Sequence, residues 1–196
     1  YGQFLGDTFY GLVGFILSAA NIMMPLMAFG VHNTLVKFYN EYETEEKKSQ
    51  FLTFVLVLPL LIVLPISLIG YLGYHQIAEL LSQKNPIVYD YVWQIPVIGL
   101  CMGYFEIFYA WVKVHLQSVY GSFVKEVLLR ILISIFLFAV YFDVILPQQF
   151  VFALMGIYFL SLLTMFFYAM KVKLPHFKLV FPDNYKAILT YCFFII

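Results

Sequence analysis

Long apolar runs, one after another, decide what this chain can fold into. "LVGFILSAANIMMPLMAFGV" is followed by "FLTFVLVLPLLIVLPISLIGYLGY", and three further stretches of similar length come after them. A bilayer core about 30 Å thick needs about 20 helical residues to cross it. Five stretches meet that length, at about 9–31, 51–74, 89–111, 124–142 and 150–170, and another begins near Ala187. Barrel strands alternate in polarity and are half as long, which these runs exclude. Helices satisfy every backbone group internally, as lipid demands. The expected fold is therefore all-α: a polytopic transmembrane helix bundle with five complete spans and the start of a sixth. Composition agrees. Hydrophobic residues make up 63% and charged residues 11%, against nearly half and a quarter in soluble domains.

The few charges are unevenly placed. "HNTLVKFYNEYETEEKKSQF" concentrates them between the first two spans. Lys37, Lys47 and Lys48 lie in that connection, Lys113, Lys125 and Arg130 around the third, and Lys171, Lys173, Lys178 and Lys186 in the fifth. Only Lys84, of the 11 Lys and Arg residues, falls elsewhere. The positive-inside rule then predicts cytoplasmic connections at 32–50, 112–123 and 171–186, with the Tyr1 end outside. Within the first connection, Glu43 and Lys47 have the spacing of a favourable i,i+4 pair, which predicts a solvated helical hairpin. Tyr71, Tyr74, Tyr89, Tyr91, Trp93, Trp111, Tyr141 and Tyr168 fall near span ends, where amphipathic rings favour the headgroup level.

Inside the spans, polar residues and helix breakers are candidates for function. Glu106, in "MGYFEIFYAW", is the acid placed deepest, and an intramembrane acid normally faces the bundle interior or a water-filled cavity. Lys113 lies two turns along the same face, and Lys125 and Arg130 lie on the next helix. Glu126 and Arg130 have i,i+4 spacing. Glu106 thus reads either as a proton or substrate site, or as one member of a fixed ion-pair network. Asn21 is spaced to answer the backbone break at Pro25, or to face a cavity. Pro59 and Pro65 interrupt the second span and Pro96 the third, each removing a helical hydrogen bond. Gly99, Cys101 and Gly103 put small residues on one face and predict close helix packing.

Other chemistries lack their signatures. Cys101 and Cys192 sit in apolar runs and suggest neither a disulfide framework nor a metal site. His32, His75, His115 and His176 show no ligand spacing. No nucleophile–base set, phosphate loop or cofactor motif is present, so an enzyme is not expected. A net charge of zero gives no sign of a nucleic-acid partner. The start at Tyr1, without a basic leader, and the final "AILTYCFFII" predict an internal fragment of a longer chain.

Two stretches carry a family likeness. "FLGDTFYGLVGFILSAANIMMPLMAFGVHNTLVKFYNEY" has an acidic turn, Tyr10-Gly11, an apolar helix, then Gly30, Thr34, Lys37 and Phe38 before a charged loop. It resembles the segment after the first span of bacterial polysaccharide flippases, members of the multidrug/oligosaccharidyl-lipid/polysaccharide exporter superfamily. "NPIVYDYVWQIPVIGLCMGYFEIFYAWVKVHLQSVYGSFVKEVLLRILI" resembles their fourth and fifth spans. The resemblance implies one partial N-terminal lobe of a two-lobe transporter in the bacterial inner membrane. Its implied activity is flipping of lipid-linked polysaccharide precursors, such as those of lipopolysaccharide, by alternating access. The implied partners are an anionic pyrophosphate-linked oligosaccharide lipid and a C-terminal lobe. Lys37, Lys113, Lys125 and Arg130 are then candidate cations for the pyrophosphate, by position. A multidrug exporter of the same superfamily and a membrane-embedded glycan polymerase or transferase are the competing readings.

Overall fold

In the computed structural model, which describes residues 2–175 and 181–195, every regular element is helical. The first apolar run forms α1 (Gly2–Ala28). Two left-handed residues, Phe29 (φ 48°) and Gly30 (φ 63°), turn the chain into the short α2 (Val31–Phe38). Gly30 is required there twice over. Its φ is disfavoured for residues with a Cβ. A Cβ would also lie 2.5 Å from the Ile195 side chain and 2.9 Å from the Cys192 carbonyl oxygen.

A 3-10 turn (Tyr39–Glu41) leads to α3 (Glu45–Leu72). Thr44 is extended and caps α3, its side chain accepting from the Lys47 backbone N–H at 3.3 Å. Glu45 and Glu46 fill the first turn, where the helix dipole favours carboxylates. This cap overturns the expected Glu43–Lys47 helical pair. Glu43 precedes the helix, and Lys47 instead meets Asp183 at 3.2 Å.

The chain continues through α4 (Tyr74–Ser82), a 3-10 segment (Pro86–Tyr91) and α5 (Gln94–Val114). Because α5 starts at Gln94, Pro96 lies in its first turn and does not interrupt a span. The N–H groups there have no helical acceptor in any case. Next come α6 (Ser118–Phe123), a π-helical turn (Val124–Leu128), α7 (Leu129–Tyr141), α8 (Pro147–Val172) and α9 (Tyr185–Ile195). Four helices are long and apolar enough to cross a membrane: residues 5–28 of α1, α3, α5 and α8. The expected span at 124–142 is composite. Its α7 portion has 13 residues, too few to cross alone, and the run lengthens only by joining α6 through the π turn.

Helix α5 is the centre of the bundle, packed against α1, α2 and α8. Of its apolar stretch 67% is buried, against 33–39% in the other three long helices. The expected small-residue face is real. A Cβ added to Gly99 would lie 3.3 Å from the Ala20 carbonyl oxygen, and one on Gly103 would lie 3.2 Å from the Ala28 nitrogen. Backbones of α1 and α5 therefore nearly touch.

The connections sort to two ends. At one, the Tyr39 hydroxyl meets His115 Nε2 at 3.0 Å, Lys173 pairs with Glu45, and Tyr42 donates to Asn184 at 2.5 Å. These contacts tie together the three lysine-rich connections. At the other end, His75 Nδ1 meets the Tyr89 hydroxyl at 2.9 Å, and Tyr74 donates to the Tyr89 carbonyl. Lys178, His176 and Tyr1, used in the sequence reading, lie outside the described residues. The aromatic-belt expectation fails at Trp111, which is 0% exposed and lies in the core with its ring tilted against that of Phe108. Tyr91 is buried as well.

Candidate functional site

Several polar residues of the spans converge on one cleft of about 280 Å³, between α1, α5, the π turn, the start of α7 and α8. Asn21 contributes from α1, and Phe105 and Glu106 from α5. Lys125 and Glu126 come from the π turn, Arg130 from α7, and Tyr158 and Ser161 from α8.

The central contact is the ion pair of Glu106 and Lys125, Oε1 to Nζ at 2.5 Å. The Glu106 side chain is 16% exposed and that of Lys125 46%. The acid is thus embedded and the cation reaches in from the open side. Backbone geometry makes this possible. A π turn carries an extra residue per turn and re-aims side chains relative to an α-helix, often at functional sites. Beside it, Arg130 pairs with Glu126 at 2.9 Å, the i,i+4 contact expected from sequence.

Asn21 does line the cleft, yet its amide donates to the Leu17 carbonyl at 2.9 Å. It does not answer the break at Pro25. Two expected cations lie elsewhere. Lys113 sits 3.9 Å from the Tyr109 ring centroid, one turn back along its own helix. Lys37 lies 3.9 Å from the Tyr191 ring on α9. Cation–π contact holds each over an aromatic face, and neither lines the cleft.

Gly30, Thr34, Lys37 and Phe38, singled out in sequence, form the seam between α2 and α9. Thr34 Oγ1 lies 3.0 Å from Cys192 Sγ, and Phe38 meets Tyr191 edge-on. Their role is packing and capping. Both cysteines are free and buried. Among the described residues, no group of three His, Cys, Asp or Glu side chains could hold a metal ion.

Sequence reasoning assigned no site role to His32, Tyr158 or Ser161. Tyr158 and Ser161 are three apart on an apolar helix, which puts them on one face. That spacing was the available signal. His32, on α2, has its Nδ1 buried without a partner. Burial holds its pKa below the ordinary histidine value of 6.5. The Glu106 charge opposes that shift, while Lys113 and Lys125 add to it.

Fold and cleft together define an all-α, polytopic membrane protein with paired charges inside the bundle. Compared with family models, curated proteins and solved structures, the chain finds no match.

Proposed function

We propose that the chain is part of an exporter that flips lipid-linked polysaccharide precursors across the bacterial plasma membrane. The observation that carries this reading is the half-exposed Lys125, held at the cleft by Glu106 with Arg130 beside it. Ionisable groups inside a membrane bundle mark substrate or ion pathways by default. Both cations are paired with carboxylates, and a phosphate is the one common lipid group that competes with carboxylate for the same donors. Arg130 in particular has the planar fork that binds phosphate bidentately. The sequence resemblance supports the same substrate class.

The test is uptake of a fluorescent lipid-linked oligosaccharide into the outer leaflet of proteoliposomes holding the complete protein. Lys125→Gln and Arg130→Gln are expected to slow flipping about tenfold or more, as loss of a charged hydrogen bond to phosphate predicts. Unchanged flipping in both variants would remove the cleft from the pathway. A multidrug reading would instead show efflux of a lipophilic cation that depends on Glu106 and is faster in Lys125→Gln.

A further inference from the structure

His115 follows the last turn of α5 and sits in a one-way chain of hydrogen bonds at the lysine-rich end. Its Nδ1 lies 2.9 Å from the Trp111 carbonyl oxygen. A carbonyl can only accept, so Nδ1 carries the proton, and Nε2 of the neutral ring is an acceptor. The Tyr39 hydroxyl, 3.0 Å from Nε2, therefore donates to it. That uses the Tyr39 proton and leaves the Tyr39 oxygen to accept from Lys173 Nζ at 3.5 Å. Every link points the same way, from Lys173 to Tyr39 to His115 to Trp111. Tyr39 comes from the turn after α2, His115 from the end of α5 and Lys173 from the end of α8, so the chain ties three connections together. The surroundings are cationic. From α3, Lys48 Nζ lies 5.6 Å from the Tyr39 ring centroid, and Glu45 pairs with both Lys48 and Lys173. The side chains of Lys48 and Lys173 are each 23% exposed. Tyr168, also on α8, donates to Gln117 at 3.0 Å. Lys113, on α5 itself, is turned to the Tyr109 ring, and Glu41, on the turn of Tyr39, faces outward beside Tyr42 and Asp183.

We propose that this chain of hydrogen bonds is a pH-sensitive clasp, in which a proton on His115 breaks its contact with Tyr39 and frees the connection after α5 from the first connection. Histidine changes charge between about pH 5 and 8, while Tyr, Lys and Glu side chains ordinarily keep one charge state there. The added proton lands on Nε2, because Nδ1 already carries one. Two donors then face each other across 3.0 Å. Tyr39 can accept from the charged ring only by turning its own proton away. Its oxygen would then serve two cations at once, His115 and Lys173. Glu45, the carboxylate of this cluster, already answers Lys48 and Lys173, so it leaves the new charge uncompensated. Like charges drawn to one partly buried oxygen repel. Lys173 keeps Glu45, and the His115–Tyr39 link is the one that opens, turning the ring to water. The clasp is separate from the Glu106 cleft and does not depend on the proposed transport activity.

Two measurements on the complete protein in lipid nanodiscs test this. The first is NMR of isotope-labelled histidine nitrogens, with the His115 signal assigned by its loss in His115→Gln. It should show the Nδ1–H tautomer at about pH 8 and the doubly protonated ring at about pH 5.5. An Nε2–H ring at the higher pH would overturn the proposal. The second uses spin labels at Asn40 and Ser118, both exposed, to read the distance between the two connections. The longer-distance population should rise about fivefold from about pH 8 to about pH 5.5, as loss of one hydrogen bond predicts. His115→Gln still offers an acceptor to Tyr39 but takes no proton, and should stay closed at both pH values. Lys173→Met removes the second cation and lets Tyr39 accept from the charged ring. It should suppress the acid opening while NMR still shows the ring becoming charged, a combination that a merely misfolded variant does not give. The opening should persist in His32→Gln, whose ring is outside the chain of hydrogen bonds. An unchanged distance in the parent, or opening in His115→Gln or Lys173→Met as large as in the parent, would overturn the clasp.

Discussion

Glu106 and Lys125 are joined Oε1 to Nζ at 2.5 Å, nineteen positions apart in the chain. Arg130, the cation that helical spacing makes equally available, pairs with Glu126 instead. The coupling between Glu106 and Lys125 should therefore be measurable and specific. Exposed pairs give up to about 1 kcal/mol and broken buried pairs about 3–5 kcal/mol. With one partner embedded and the other half exposed, a double-mutant cycle of Glu106→Gln and Lys125→Gln should give about 1–2 kcal/mol. The cycle of Glu106→Gln with Arg130→Gln should give near zero. Thermal unfolding in detergent reads both, and the reverse ranking would show that the pair is mis-assigned.

His32 makes stability depend on pH on the acid side. Its pKa is lowered in the folded protein, chiefly by burial. The unfolded chain therefore takes up the proton first as pH falls below about 6.5. Stability is full above that value and declines as pH drops toward the lowered native pKa. His32→Gln should flatten the decline in Tm between about pH 7 and pH 5. An equally steep decline in the variant would assign the acid sensitivity to carboxylates.

The contact of α1 with α5 leaves no room at Gly103. Gly103→Leu forces apart backbones that are already in van der Waals contact. The cost should be about 3 kcal/mol or more, since overpacking costs about 1–3 kcal/mol even where side chains can adjust. Gly14, where an added Cβ meets nothing within 4 Å, is the control, and Gly14→Leu should leave Tm near the parent value. Similar losses at both positions would argue against the close packing.

Orientation is tested with thiols. Glu46 and Gln148 are both exposed, at opposite ends of the bundle. In intact cells a cysteine at Gln148 should react with a membrane-impermeant reagent, and one at Glu46 should react only after lysis. The opposite pattern would invert the positive-inside assignment.

The sequence by itself determined the helical, membrane-spanning character, because apolar length is a local property that the bilayer reads directly. It also showed that Gly99 and Gly103 share a packing face and that Glu126 reaches Arg130, since helical periodicity settles which side chains are neighbours within one helix. Tertiary structure decided what periodicity cannot. The cation that meets Glu106 is Lys125, which lies in a π turn, a feature that changes side-chain direction without a sequence marker. Lys37 and Lys113 had the right charge and position along the chain, but aromatic faces on α9 and on α5 itself hold them outside the cleft. Trp111 had the chemistry of an interface residue, yet the central place of α5 buries it. In each case the outcome rests on which surfaces the neighbouring helices present, and that is set by how the helices pack.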